Sequence, residues 1–173
     1  RWFNGNTAML SQVAKNTSLP ILRKDLIVNM DQIRQSQALG ASAVLLTKKI
    51  LRTSHLIKMI ELCHSLQITP FIEVANTEEL SEIPLDDNIV IGMTNRDIAQ
   101  KETDSDSGLP SLQLLKERPH PFGAIVSASG INTHSEANLL YQAGFDALLV
   151  GTSLLKAKDP ELAVRRLSQR STE

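Results

Sequence analysis

Five apolar runs in this chain each end on residues that can do chemistry. The run at 19–23 leads into Lys24 and Asp25, and the run at 69–72 leads into Glu73. Residues 89–93 lead into Thr94, Asn95, Arg96 and Asp97, residues 124–128 into Ser129 and Gly130, and residues 147–150 into Gly151, Thr152 and Ser153. A carboxylate among apolar neighbours, as Glu73 is in Phe71-Ile72-Glu73-Val74, holds its proton more tightly than in water and can act as a general base. The alternative reading of Glu73 is a structural ion pair. Lys24 can donate a proton from its ammonium, or it can snorkel from a strand end as an ordinary surface lysine. Lys48 and Lys49 close a further apolar run, and strand alternation lets one of them, not both, face the same side. One glutamate and two lysines around one rim fit acid-base work on an anionic substrate.

The glycines point to the anion. Ser129-Gly130 and Gly151-Thr152-Ser153 each offer a glycine that lets backbone N–H groups approach a negative group. The second pair also opens a short helix through Leu154, Leu155 and Lys156, and a helix N-terminus favours negative charge. A strand-to-helix turn needs glycine in any case, so it is the pair on consecutive final strands that predicts a phosphate held by Ser129, Gly130, Gly151 and Thr152. His55, His64, His120 and His134 lack ligand spacing with one another or with Cys63, and no metal site is predicted. Cys63 is the single cysteine, set at helical spacing among Ile60, Leu62 and Leu66. It reads as a buried structural thiol.

Residues so far apart in sequence meet only if the runs that carry them lie side by side in one direction, because parallel strands gather their carboxyl-end side chains at one rim. Apolar β-rich runs and amphipathic segments do alternate here. Strands are predicted near 19–25, 43–47, 69–74, 88–93, 123–128 and 146–150, none with the polar alternation of a half-exposed sheet, so both faces are expected to be buried. Helices are predicted over 31–39, 54–66, 77–82, 111–117 and 135–143, with Asn29, Thr53, Thr77, Thr133 and Asp159 as N-caps and Gly40 and Gly144 ending helices. Residues 37–51 echo residues 141–155, with those two glycines in register, as two related half-barrels would leave. The polar stretch 100–110 reads as a solvated loop on the rim side, with a lid as the alternative. The predicted fold is an α/β, (βα)8 TIM-barrel type, partial, with about six parallel strands in one domain spanning 1–173. A complete barrel usually needs about 250 residues, and this chain has 173.

Composition excludes other classes. A net charge of −1 gives no electrostatic footprint for nucleic acid, and Arg165, Arg166 and Arg170 read as the solvated end of a last helix. No apolar stretch reaches the roughly 20 residues that span a bilayer, so a cytoplasmic protein with a small phosphorylated substrate is expected.

At these residues the chain resembles the indole-3-glycerol phosphate synthase family. The resemblance runs through Trp2-Phe3-Asn4-Gly5-Asn6, Pro20-Ile21-Leu22-Arg23-Lys24-Asp25, the 43–46 strand, Glu73-Val74, Asn95-Arg96-Asp97, Ser129-Gly130-Ile131 and Val150-Gly151-Thr152-Ser153-Leu154. It implies ring closure of 1-(2-carboxyphenylamino)-1-deoxyribulose 5-phosphate with loss of carbon dioxide and water, and no cofactor. By the same resemblance Lys24 is the general acid, Glu73 the proton-handling carboxylate and Lys49 a second lysine near the site. Arg96 holds the anthranilate part with Thr94 beside it, Phe3 packs on its ring, and Ser129, Gly130, Gly151 and Thr152 cradle the phosphate.

Departures from the family pattern are equally specific. The Glu-x-Lys strand and the second strand that begin the family's barrel are absent from these 173 residues. Thr94 stands in place of the usual asparagine, Ala128 in place of the glutamate of a Glu-Ser-Gly motif, and Leu26 in place of a phenylalanine. The expectation is a barrel lacking its first two strands, with apolar edges at 19–22 and 147–150 that invite a partner. A start at Arg1-Trp2 inside a loop favours the carboxyl-terminal part of a longer enzyme. It disfavours a barrel completed by another chain or copy, and a degenerate relative that binds phosphate or assembles without chemistry. A different phosphate-binding isomerase on the same scaffold is a third functional option.

Overall fold

Parallel strands in chain order, each hydrogen-bonded only to the next, make the wall that the alternating pattern calls for. The computed structural model describes residues 6–95, 109–117 and 122–169. Among them the strands are β1 (Leu22–Arg23), β2 (Ala43–Thr47), β3 (Thr69–Val74), β4 (Asp86–Thr94), β5 (Phe122–Ala128) and β6 (Ala147–Leu149). All five pairings are parallel and the order is β1-β2-β3-β4-β5-β6, without the reversal of strand order that marks a doubly wound sheet. The result is part of a TIM-barrel wall with flanking helices, as expected.

Burial on both faces explains the apolar runs. On the helix side Val44, Leu46, Ile72, Ile91, Met93 and Ile125 pack against α2 (Met30–Ala38), α3 (Thr53–Ser65), α5 (Pro110–Lys116) and α6 (His134–Ala143) through Ile33, Leu56, Met59, Leu114 and Leu140. On the inner side Leu45, Phe71 and Val126 form a second cluster with Leu22, Val90 and Leu149. Gly92 makes room for that cluster, since a Cβ there falls 2.3 Å from Phe71 Cε1.

Several local expectations are corrected. The first strand covers Leu22–Arg23 rather than 19–25, because it pairs on one side only and Pro20 has no N–H to give a ladder. Thr53 and Thr77 are first helical residues rather than caps: Arg52 precedes α3, and Asn76 caps α4 (Thr77–Ser81) by accepting from the Glu79 N–H. Asn29 and Thr133 do cap their helices, each in a reciprocal capping box with Gln32 or Glu136. Gly144 ends α6 at φ 105°, and Gly40 adopts φ 88° one residue beyond the Leu39 cap of α2. An unpredicted helix, α1 (Thr7–Asn16), stands before β1, capped by Asn6. The short helix expected after Gly151 is α7 (Thr152–Lys156), and α8 (Pro160–Ser168) follows it behind the Asp159 cap.

Candidate active site

Side-chain alternation sorts the rim residues into two sets. Arg23 turns toward the helices, where its buried guanidinium donates to the Gln32 carbonyl, Gln35 Oε1 and Ser36 Oγ at 3.1–3.3 Å and pairs with Asp25 at 3.0 Å. That anchor leaves the next residue, Lys24, to the opposite side. Glu73 follows Phe71 on the inner face and sits in register with Thr47 of β2. Lys24 Nζ and Glu73 Oε2 meet at 3.9 Å across 49 positions of sequence, with side chains 50% and 7% exposed respectively. Burial pushes the Glu73 carboxyl above the usual carboxylate range. The Lys24 ammonium pulls it partly back, and the Glu79 carboxylate pushes it up further. Both readings of Glu73, proton acceptor and ion-pair partner, therefore describe one geometry.

The two lysines after β2 separate differently from the expectation. A 3-10 turn over Lys48–Ile50 takes both out of the strand, so pleat alternation no longer applies to them. Lys48 is the buried one, turned to Glu82 at the end of α4 with 3.1 Å between Nζ and Oε2, and Thr53 Oγ1 bonds the same carboxylate. These contacts hold the Glu82 carboxyl below the usual range. Lys49 is exposed and borders a cleft of about 350 Å³ with Arg52, Asn76, Glu78 and Glu79.

Thr94 ends β4 opposite Ala128 of β5, and both are buried. By alternation from Gly92 and Val126 they belong to the inner face, beneath the rim. Phe3 and Arg96 lie outside the described residues, as do Arg170 and residues 100–108 of the rim loop.

The two glycine turns are bonded side by side. The Ser129 N–H donates to the Leu149 carbonyl at 3.2 Å, and Ser153 Oγ donates to the Ile131 carbonyl at 2.8 Å. Ser129 and Gly130 both adopt positive φ, 66° and 67°. For a serine this is an uncommon, strained conformation that its surroundings must hold. Gly151 has φ −128° and ψ −69°, outside the regular helix and strand regions, and an added Cβ meets nothing within 4 Å, so packing does not demand glycine there. The Ser129 N–H is thus spent on the ladder.

Sequence reasoning missed the polar cluster behind this turn. Asn95, Ser111 and Ser127 lie on the helix side of the sheet; Asn95 stood in the Asn95-Arg96-Asp97 segment, whereas the sequence signal of Ser111 and Ser127 is a small polar residue inside a largely apolar segment. A cleft of about 480 Å³ lies away from the Lys24–Glu73 pair, between the start of α6, α7 and α8, with His134, Leu154, Lys158, Asp159 and Arg166 in its lining. The Lys24–Glu73 pair sets an ammonium and a buried carboxylate 3.9 Å apart at the rim, an arrangement in which an acid and a base can reach one substrate proton, whereas the cleft gathers His134, Lys158, Asp159 and Arg166. Among the described residues no three His, Cys, Asp or Glu side chains are grouped to hold a metal ion. Cys63 is fully buried, and burial pushes its thiol up to about 12, so it is no nucleophile.

A six-stranded wall with a Lys24–Glu73 ion pair at its rim and two adjoining glycine turns invites comparison with known barrels. The sequence model of the family described as indole-3-glycerol phosphate synthase matches residues 1–167. The chain belongs to the indole-3-glycerol phosphate synthase family. Among curated relatives, it is 35% identical to the indole-3-glycerol phosphate synthase of Lachnospira eligens over 92% of its own length and 60% of that protein. It is 36% identical to that of Lactiplantibacillus plantarum, over 96% of this chain and 63% of the relative. The chain thus spans under two thirds of the length of these relatives. Among solved structures, 3-hexulose-6-phosphate synthase from Salmonella typhimurium superposes with a TM-score of 0.73 at 14% identity, covering 94% of this chain and 78% of that one, a likeness of fold alone. The family's Glu-Ser-Gly motif is read here as Ala128-Ser129-Gly130, so the inner face of β5 ends in a methyl group.

Proposed function

We propose that residues 1–173 form one partial barrel domain carrying the rim of an indole-3-glycerol phosphate synthase, a cytoplasmic carboxy-lyase of tryptophan biosynthesis. Its reaction is ring closure of 1-(2-carboxyphenylamino)-1-deoxyribulose 5-phosphate with loss of carbon dioxide and water, without a cofactor. The observation that carries this reading is the Lys24–Glu73 pair: a water-facing ammonium and a buried carboxylate 3.9 Å apart. Lys24 donates a proton to the substrate carbonyl oxygen as the ring carbon attacks. Glu73, with its proton affinity raised by burial, then handles the proton that turns the departing hydroxide into water. Lys49 adds positive charge at the next strand end. Phe3, Thr94 and Arg96 hold the anthranilate part, and Ser129, Gly130, Gly151 and Thr152 hold the phosphate at the paired turns. Further barrel strands come from an amino-terminal segment, a second copy or a partner chain.

One observation favours a second reading, a phosphate-binding or assembly protein on the same scaffold. Ala128 is buried where the family motif places a carboxylate, and losing an acid at a reacting centre commonly costs about two to four orders of magnitude in rate. Indole fluorescence on addition of the phosphorylated substrate, with Lys24→Ala as control, separates the two. Signal from the parent alone supports the lyase. Substrate binding without signal supports the binding protein.

A further inference from the structure

Asn95 occupies a position from which one side chain reaches two elements. Its Nδ2 lies 3.0 Å from Ser127 Oγ, 3.0 Å from the Ser129 carbonyl and 3.3 Å from the Ala128 carbonyl, so two N–H groups are shared among three acceptors. Its Oδ1 accepts from the Ser111 N–H at 3.0 Å, and its own N–H donates to the Ala128 carbonyl at 2.8 Å. Ser111 is the second residue of α5, whose cap residue Leu109 has no side-chain oxygen, so Asn95 does the capping from another strand. A buried bond of 2.9 Å between Ser111 and Ser127 hydroxyls closes the bracket. A Cβ at Gly130 falls 3.2 Å from Asn95 Cβ, which puts the asparagine in contact with the turn it bonds.

We propose that Asn95 is a positioning residue for the anion turn: it holds Ser129 in its left-handed conformation and ties that turn to the start of α5. A serine at φ 66° drifts toward the commoner negative φ unless its carbonyl is held, and Asn95 is the side chain that holds it. Asn95 acts from the helix side, behind the turn, so its effect on a bound anion passes through the Ser129-Gly130 backbone. This inference rests on the phosphate reading above and adds a determinant that the rim residues themselves do not contain.

The test is Asn95→Asp in the full chain, which keeps the cap for Ser111 but sets a carboxylate against the Ala128 and Ser129 carbonyls. Ser127→Ala, which removes one acceptor of Asn95 together with the Ser111–Ser127 hydroxyl bond and leaves the Asn95 bond to the Ser129 carbonyl, is the milder companion. Inorganic phosphate is titrated by calorimetry, and amide hydrogen exchange is followed at Gly130 and Ser111. The expected result is a phosphate Kd raised about tenfold in Asn95→Asp and about twofold in Ser127→Ala, with Gly130 exchange accelerated and the Ser111 amide still protected. Unchanged phosphate affinity in folded Asn95→Asp overturns the inference while leaving the phosphate reading intact. If Asn95→Asp does not fold, unchanged affinity and Gly130 exchange in Ser127→Ala overturn it. A parent protein that binds no phosphate overturns the phosphate reading first, and this inference with it.

Discussion

Strands β2 to β5 are buried on both faces, whereas β1, β6 and the helices beside them bury little. Leu46, Ile72, Ile91 and Met93 are fully enclosed, and α2 to α6 each contribute buried residues. Helices α1, α7 and α8 contribute none, and Leu19 and Leu155 are 73% and 88% exposed. The cause is geometric. A helix packs into the groove over two strands, and a strand paired on one side has half a groove to offer. The candidate site residues fall in both regions: Glu73 and Thr94 stand on the packed centre, while Lys24 and Gly151-Thr152 stand on the margins. Lys24 and Glu73 are thus held to different tolerances, Glu73 by a close-packed core and Lys24 by the Arg23 anchor and the ion pair with Glu73.

Substitutions test this contrast most directly. Leu46→Ala is expected to lower unfolding free energy by about 2–5 kcal/mol in urea melts, and Leu155→Ala by less than about 0.5 kcal/mol. Equal losses would erase the distinction between centre and margin. Gly92→Ala drives a methyl into the Phe71 ring and is expected to cost about 1–3 kcal/mol, most of it recovered by adding Phe71→Leu. Arg23→Met removes the anchor of the margin and leaves Gln35 and Ser36 without their donor, for a loss of about 1–3 kcal/mol. With it, the protection of the Lys24 amine against acetylation should change, because the lysine no longer has a defined side. A protein whose lysine reactivity is unaltered would show that β1 keeps its orientation without Arg23.

The smallest expected effect is a pH dependence. Glu73 holds its proton more tightly folded than unfolded, so its contribution to stability is full below the ordinary carboxylate value of 4.5 and falls as pH rises through its raised value. Glu73→Gln is therefore expected to melt slightly higher than the parent at neutral pH, with the difference closing as pH drops below that range. The opposite sign would mean that the Lys24 attraction outweighs burial at this site.

Much of this was legible in the chain. The six strand positions, the shared rim and the nomination of Lys24 and Glu73 follow from apolar runs ending in polar residues, because strand burial and pleat direction are properties of a few neighbouring residues. The same local rule misplaced two features. It extended the first strand to 19–25, since nothing local tells how many partners a strand has. It also treated Lys48 and Lys49 as strand residues, where a 3-10 turn sends Lys48 to Glu82. The expected partner-seeking edges correspond to β1 and β6, each paired on one side among the described residues.

By itself the sequence determined the order of elements, their common direction and which residue types arrive at the rim, for these rest on short-range conformational preference and on apolar patterning. Only the tertiary structure decided that Lys24 and Glu73 stand 3.9 Å apart, that Asn95 binds both the Ser129 turn and the cap of α5, and that Arg23 rather than Lys24 is the residue turned to the helices. Those distances depend on sheet register and on contacts between segments tens of residues apart, and no local pattern records them.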